Sequence, residues 1–574
     1  MRQIAIIGGG PAALFMYKRL VEEGQKEIDV HIFEKHQSLG AGMPYSKYGA
    51  SAEHITNVSD NEIPTIKTHI KNWIEEAPQD ILQEYDLNPQ TFNEYKVLPR
   101  LLFGQYLSQQ FAALLDEGRR RLNNTVVHFD TQIIDVIDLP EKEKTKVVSD
   151  KEHWLFDNVV ICTGHSWPSS LEKKYSNYFE SPYPPQKLSV AINYPVAIRG
   201  ASLTAVDAIR SLAHANGKFS KLENGTYKYH LNENSKGFKM VMHSIGAMLP
   251  AMRFHLEDSH LTANHLLTEK EIFEIKEHNG GFVPLDYVYE VNFKQKLKEN
   301  QTSLYEEVIE LSIEEFIDFM MEKRQSIKPF KLLEDEYWEA EKSIATRQSI
   351  LWKETLGALS YAMNSPAKHF SAEDMLRLKK VMMPLISVII AYLPQGSARE
   401  MMALHNEGLL EIISVTSASE VIPSEDGGAT YTYNDGGEKE SQQYFRMFID
   451  AIGQKPFFYN DIPFEGLKNK DVLSAAYLRF KSAHTAEVEI LNGNKQISQD
   501  STGHYLLQLP GIQINDYFQP LNIYGVASSR LHIMAVPYIA GINPDYSGLD
   551  FCEAASQKIV SKLFNVPVLE KANN

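Results

Sequence analysis

Cysteine is almost missing from this chain. Its 574 residues contain two, Cys162 and Cys552, and no C-x-x-C pair. That excludes a redox-active dithiol of the disulfide-reductase kind and a cysteine zinc site. Nineteen histidines are present, but none stands in the His/Glu spacing of a zinc helix. No long basic block appears, and the net charge is -17, so neither nucleic acid nor an anionic membrane is expected as a main partner. Long apolar runs are also lacking. The stretch from Val381 to Leu393 has thirteen residues and contains Pro384, too short for a bilayer span and suited to a buried helix. Tandem repeats and low-complexity tracts are missing as well. The chain opens directly on a strand pattern, which leaves no room for a signal peptide, so a reducing, cytoplasmic location is expected. Nothing in the sequence specifies an oligomeric state.

What is present begins at the first residues. Ile4 to Ile7 is a short apolar run, read as a buried parallel strand. It leads into Gly8-Gly9-Gly10-Pro11-Ala12-Ala13, which fits G-x-G-x-x-A. Leu14 to Glu23 reads as a helix, with Gly24 placed as its C-terminal stop. Ile28 to Phe33 is a second strand and ends at Glu34. Strand, glycine turn, helix, strand and acid in this order form the dinucleotide fingerprint. Gly8 allows the tight turn, Gly10 lets a pyrophosphate approach the backbone, and Ala13 lets helix and strand pack closely. The helix N-terminus offers unpaired N–H groups to phosphates, and Glu34 can accept from a ribose diol.

A second signal of the same kind follows. Pro195 to Ile198 reads as a strand, Gly200 to Ala205 as a turn, Val206 to Ala213 as a helix and Phe238 to Met242 as the next strand. Here Ser202 stands where the second glycine belongs, followed by Leu203, and no acid ends the second strand. A nicotinamide site and a vestigial fold are both compatible with that pattern. Without the acid, NADPH is expected to serve at least as well as NADH.

The fold class expected is α/β, with two Rossmann-like dinucleotide-binding domains, the second inserted in the first, and a mainly helical insertion. Residues 1–165 form the first part of the N-terminal nucleotide domain, and 166–250 begin the second. Residues 251–410 break the alternation and read as mainly helical, with helical spacing in Ile313 to Arg324 and Met375 to Leu393. Residues 411–455 return to the second domain, with strands at Leu410 to Val415 and Tyr444 to Ile452 and a polar hairpin at 422–443. Residues 456–574 complete the first domain. Leu521 to Ala527 reads as its last strand, Gly541 to Gly548 as a loop, and Leu549 to Leu563 as the closing helix.

Two nucleotide folds in this arrangement resemble the two-dinucleotide-binding flavoproteins. A narrower resemblance rests on Gly42-Met43-Pro44-Tyr45-Ser46, His54-Ile55-Thr56-Asn57-Val58, Trp73 in the helix beyond, and the run Leu98-Pro99-Arg100 to Gly104-Gln105-Tyr106-Leu107. These are similar to the G-x-x-Y-S, H-L-x-N-V and P-R-x-x-x-G-x-Y-L signatures of an FAD/NAD(P)-binding family. It includes urate hydroxylase-like and aspartate N-monooxygenase-like flavoenzymes.

The resemblance implies FAD on the N-terminal fold and NAD(P)H on the inserted one. It implies a monooxygenase that acts on a small molecule with O2 through a flavin C4a-(hydro)peroxide. An FAD reductase or dehydrogenase without oxygen insertion, and a flavin-binding protein with a vestigial second site, are the other readings. Thr163-Gly164 and Ile452-Gly453 would be the two chain crossings, and the helix from Gly548 and Leu549 would point its positive end at the flavin. Asn57 would face the flavin, or else make an Asx turn. Arg100 would neutralise the pyrophosphate, or else sit in an ion pair. Arg199 would meet a phosphate, or else lie at a solvated edge; Arg253 is a basic residue that could meet a 2′-phosphate. The helical insertion is expected to cover the flavin or build the substrate pocket.

Overall fold

Two parallel sheets of five strands organise the chain. The computed structural model describes residues 1–566 other than 86, 166, 168, 224, 257–265, 301, 435–439, 469–470 and 546–547. In chain order the sheet strands are β1 (Arg2–Ile7), β2 (Ile28–Phe33), β3 (Asn124–His128), β4 (Asn158–Ile161), β5 (Tyr178–Phe179), β6 (Pro195–Arg199), β7 (Lys239–Ile245), β8 (Leu410–Val415), β9 (Met447–Asp450) and β10 (Leu531–Ile533). The first sheet runs β10-β4-β1-β2-β3 and the second β5-β9-β6-β7-β8. Every pairing in both is parallel. Parallel sheets are covered on both faces, which is why Ile4, Ala5, Ile6 and Val196, Ala197, Ile198 are unbroken buried runs.

Four helices position the site: α1 (Pro11–Glu23), α2 (Arg100–Arg121), α3 (Leu203–Asn216) and α4 (Gly548–Phe564). Gly24 closes α1 in the left-handed conformation, φ +66°, with its N–H on the Leu20 carbonyl. The chain leaves the first sheet after β4, builds the second, and returns to the first for β10 and α4. The second parallel-sheet unit is thus inserted in the first, as expected. The return is held by α4 packing on α1, where the buried Lys18 and Glu553 pair at 3.0 Å.

The middle of the chain is helical, from Glu269–His278 to Gln395–Asn406. Its apolar residues enter the cores of both units. Leu356, Met375 and Leu385 join the first, while Leu333, Tyr337 and Met401 join the second.

Three expectations need correction. The last strand of the first sheet is β10, not Leu521 to Ala527. That segment is a tight turn, with the Gly525 N–H on the Asn522 carbonyl. Its apolar residues Ile523, Tyr524 and Val526 are 50%, 75% and 61% exposed. An Asn and a Gly at turn spacing override apolar content. Tyr444 to Ile452 is two strands rather than one. Glu440–Phe445 pairs antiparallel with Ala429–Asn434, and β9 begins at Met447 in a different sheet. The expected hairpin exists as a three-stranded ribbon with Glu420–Pro423; its residues 435–439 lie outside the described ones. Met375 to Leu393 is not one α-helix, since a π-helical turn, Leu378–Met382, separates Ala372–Arg377 from Met383–Ile389.

Candidate active site

The first glycine turn binds tightly under the sheet edge. Gly8 has φ +106°, and a Cβ there would lie 2.6 Å from the Cys162 carbonyl oxygen, so the turn admits only glycine. Gly10 is the N-cap of α1, in extended backbone and with no side-chain cap. A Cβ on Gly10 would press on the Gly42 Cα at 3.3 Å. Pro11 suits the first helical position because its missing N–H has no partner there, Ala12 is half-buried, and the small Ala13 is fully buried. The N–H groups of the first turn of α1 therefore face outward without a capping oxygen, the arrangement that holds phosphate. Glu34, at the end of β2, is buried and held to this turn. The Gly9 N–H donates to its Oε2 at 2.7 Å and the His36 N–H to its Oε1 at 3.0 Å. Its remaining lone pairs can accept from a ribose diol.

Two further glycines stand at the chain crossing and at the start of the closing helix. Thr163 is half-buried, and Leu549 is buried in the first turn of α4. A Cβ added at Gly164 or at Gly548 would meet no atom within 4 Å. Uncapped helix donors, a fixed carboxylate and open space at two glycines fit a flavin dinucleotide.

The second turn repeats the first. Gly200 has φ +109°, and its Cβ would lie 2.7 Å from the Ala451 carbonyl oxygen. Ser202 caps α3 in extended backbone, but its side chain makes no capping hydrogen bond; Leu203 begins the helix half-buried.

Between the units lies a cavity of about 280 Å³. Tyr45, Asn57 and Arg100 line it from the first unit, and Trp167, Tyr183 and Thr204 from the crossing and the second. His165 Nδ1 and Gln454 Oε1, 2.6 Å apart on the wall, tie one chain crossing to the other.

Arg100 is an inter-unit residue. Its Nη1 donates to Asp207 Oδ2 at 2.6 Å, and its Nε to the Ile55 carbonyl at 3.0 Å. The Tyr183 hydroxyl donates to the same Asp207 oxygen at 2.6 Å. Burial works to raise the Asp207 carboxyl, but Arg100, His54 and Tyr183 outweigh it and hold it below the usual carboxylate range. Burial, with Asp207 beside it, raises the Tyr183 phenol, so it stays protonated. His54 is fully buried, and burial lowers its basicity. Its Nε2 meets the Asp207 carbonyl oxygen at 3.2 Å and Ser211 Oγ at 3.1 Å, so it is a joint between the units.

Asn57 lies in the strand Ile55–Ser59, on the cavity wall. The buried Arg253 donates to its carbonyl and pairs with Glu62. Arg253 is thus engaged by Asn57, Ser59 and Glu62. Arg199 stands 3.6 Å from Asp450, at the end of the second sheet. Cys162 and Cys552 are free and buried. Among the described residues, none of the helical insertion lines the cavity. The insertion touches the strand of Asn57 through Arg253, and its Asn364 side-chain oxygen accepts the Asp545 N–H at 3.0 Å ahead of α4.

Sequence reading missed Asp207 and Tyr183. The signal for Asp207 was present: an acid inside the apolar helix stretch Val206-Asp207-Ala208-Ile209 calls for a buried partner. Among the described residues, no group of three His, Cys, Asp or Glu could hold a metal ion, and no helix is long and apolar enough to cross a membrane.

Residues 5–166 match the family model described as FAD-NAD(P)-binding. Residues 268–390 match the model of the YdhS-like middle domain. The chain is 26% identical over 472 residues to the uncharacterized protein YdhS of Escherichia coli (strain K12), covering 82% of this chain and 86% of that one. Similar solved structures include the ornithine N-hydroxylase of Kutzneria sp. 744, at 12% identity over 98% of this chain and 99% of that one, TM-score 0.46. The FAD-bound cadaverine monooxygenase DfoA of Erwinia amylovora is 9% identical over 100% of this chain and 97% of that one, TM-score 0.46.

Proposed function

We propose that this chain is an FAD-dependent, NAD(P)H-using monooxygenase that hydroxylates a small molecule with O2. The observation that carries this reading is the pair of matched glycine turns, φ +106° and +109°, with one cavity lined by residues of both units. Gly42, beside Gly10, leads into the wall residues Met43 and Tyr45, while Thr204 of α3 forms the opposite wall. Bound FAD would accept hydride from the nicotinamide and activate oxygen.

The chain's own residues do the rest. Gly8, Gly10, Pro11, Ala12 and Ala13 hold the pyrophosphate at the N-terminus of α1, and Glu34 takes the ribose. Thr163, Gly164, Gly548 and Leu549 border the flavin, with the positive end of α4 toward it. Gly200, Ser202 and Leu203 receive the hydride donor. Asn57 presents an amide to the cavity and orients flavin or substrate by hydrogen bonds. Arg100 and Asp207 neutralise each other, so the wall they share adds no net charge, and they fix the second unit over the first. The insertion keeps water out by holding Asn57's strand and the loop before α4.

Anaerobic mixing with NADPH should bleach a yellow protein, and in air without substrate it should release hydrogen peroxide. A substrate that lowers peroxide release while oxygen is still consumed would establish hydroxylation. Bleaching with no reaction toward oxygen would favour the reductase reading, and a colourless protein that takes up no FAD would end the proposal.

A further inference from the structure

Lysines gather on one side of α4, in a chain whose net charge is -17. Lys558 and Lys562 stand at i, i+4 spacing on one face of that helix. Lys276 lies in the last turn of the helix Glu269–His278, and Lys368 and His369 end the short helical turn Pro366–His369. These groups meet around the loop that carries Asp516 and Tyr517. Lys368 Nζ donates to Asp516 Oδ1 at 2.7 Å, with 6% of its side chain exposed. Lys562 Nζ stands 5.3 Å from the centre of the Tyr517 ring. Lys276 Nζ lies 3.4 Å from His369 Nδ1. An ammonium only donates, so Nδ1 accepts and Nε2 carries the ring proton. That N–H is buried without a hydrogen-bond partner, 3.8 Å from Asp516 Oδ2.

Lys558 is a second donor without an acceptor. It is half-buried, and among the described residues it has no hydrogen bond or ion pair. Burial pushes its ammonium down and Lys368 pushes it further, while Asp516 and Glu269 work against them. Asp516 is already shared. Burial works to raise its carboxyl, but His369, Lys368 and Lys558 outweigh that and hold it below the usual carboxylate range. Glu269 is exposed at the rim and also faces Tyr517. Four lysines, Lys276, Lys368, Lys558 and Lys562, thus surround two carboxylates, a local surplus of two positive charges in an acidic protein. A partly desolvated cation without a counter-charge costs stability. Lysine, a compact point charge, suits a phosphate, whereas the planar fork of arginine suits bidentate pairing.

We propose that Lys558, Lys368 and the His369 Nε2–H bind a phosphate group, free or as a phosphomonoester, between the helical insertion and α4. The dianion balances the surplus charge and supplies acceptors to both unpaired donors. It also clamps the insertion to α4, at the opposite end of that helix from Gly548. The cluster shares no residue with the wall of the cavity between the units.

Calorimetric titration of the FAD-loaded protein with sodium phosphate, at fixed pH and ionic strength, tests it. The wild type should show a binding step that weakens at least about tenfold in Lys558→Met and tightens in Glu269→Gln. A step of equal strength in all three proteins lies elsewhere, as at the second glycine turn, and overturns the proposal. So does a wild type that binds no phosphate. Thermal unfolding is a second measure, because a ligand of the folded state raises its midpoint. Without phosphate, Lys558→Met should melt above the wild type, since it removes an unpaired charge. Added phosphate should raise the wild-type midpoint and leave that of the variant in place; equal responses in the two overturn the proposal. Glycerol 3-phosphate separates the two sources. Tighter binding of the ester by about tenfold assigns a phosphomonoester, tighter binding of the ion assigns free phosphate, and either supports the site.

Discussion

Arg100 and Asp207 meet at 2.6 Å across the boundary between the two parallel-sheet units, with Tyr183 on the same carboxylate oxygen. One partner begins α2 and the other lies on α3, so the ion pair fixes the angle between the units.

Breaking this pair should cost more than a surface ion pair would. Asp207→Asn leaves a guanidinium in a buried setting without its counter-charge, and we expect a loss of about 3 kcal/mol in urea unfolding. The pH dependence has a defined sign. Asp207 is held below its unfolded value of about 3.9, so its contribution is complete above that pH. It fades as the pH falls through the lowered folded value. Acid unfolding curves of the wild type and of Asp207→Asn should converge there; parallel curves down to the lowest pH would refute the assignment.

His243 gives a second pH signature at higher pH. It is 1% exposed and stacked on Tyr431, and burial pushes its imidazole down to about 4. The unfolded chain takes up a proton at about 6.5 while the folded one does not, so stability declines as the pH falls from about 6.5 to about 4. The full effect is about 3 kcal/mol for this residue. His243→Phe keeps an aromatic ring and should flatten the stability profile in that window. An unaltered slope would show that His243 is protonated in the folded state.

Glu34→Ala removes the acceptor of the Gly9 and His36 N–H groups and the ribose contact with it. FAD retention should weaken by about 1.5–3 kcal/mol, measured as flavin content against added FAD.

Gly10→Val should abolish flavin binding more completely. A branched side chain would fill the space of the pyrophosphate and press on Gly42, whose Cα stands only 3.3 Å from an added Cβ. Full flavin occupancy in this variant would place the phosphates elsewhere.

Asn364→Ala tests the role given to the helical insertion. Asn364 accepts the Asp545 N–H, and its carbonyl accepts from the Asn543 side chain at 3.0 Å. Loosening this loop should raise hydrogen peroxide release per NADPH consumed, by the water-exclusion argument. Unchanged coupling in a folded variant would assign the insertion to another task.

How much of this was legible in the sequence follows from distance along the chain. The first strand, turn, helix, second strand and Glu34 could be read because each signal sits beside the structure it specifies. The closing strand could not, because apolar content at Leu521 to Ala527 outweighed the turn chemistry of Asn522 and Gly525. Arg100 was read toward a phosphate because its partner, Asp207, lies 107 residues away.

The discontinuous first sheet has a consequence for biosynthesis. β1 and α1 are made early, yet β10, which pairs with β4 beside β1, and α4, which packs on α1, are made more than 500 residues later. The Arg2 side chain itself donates to Asn158 and to the Leu563 carbonyl. Domains generally fold as units during synthesis, from the N-terminus on. Here the inserted unit can close while its host is still open, and the first sheet is complete only once β10 and α4 have been made.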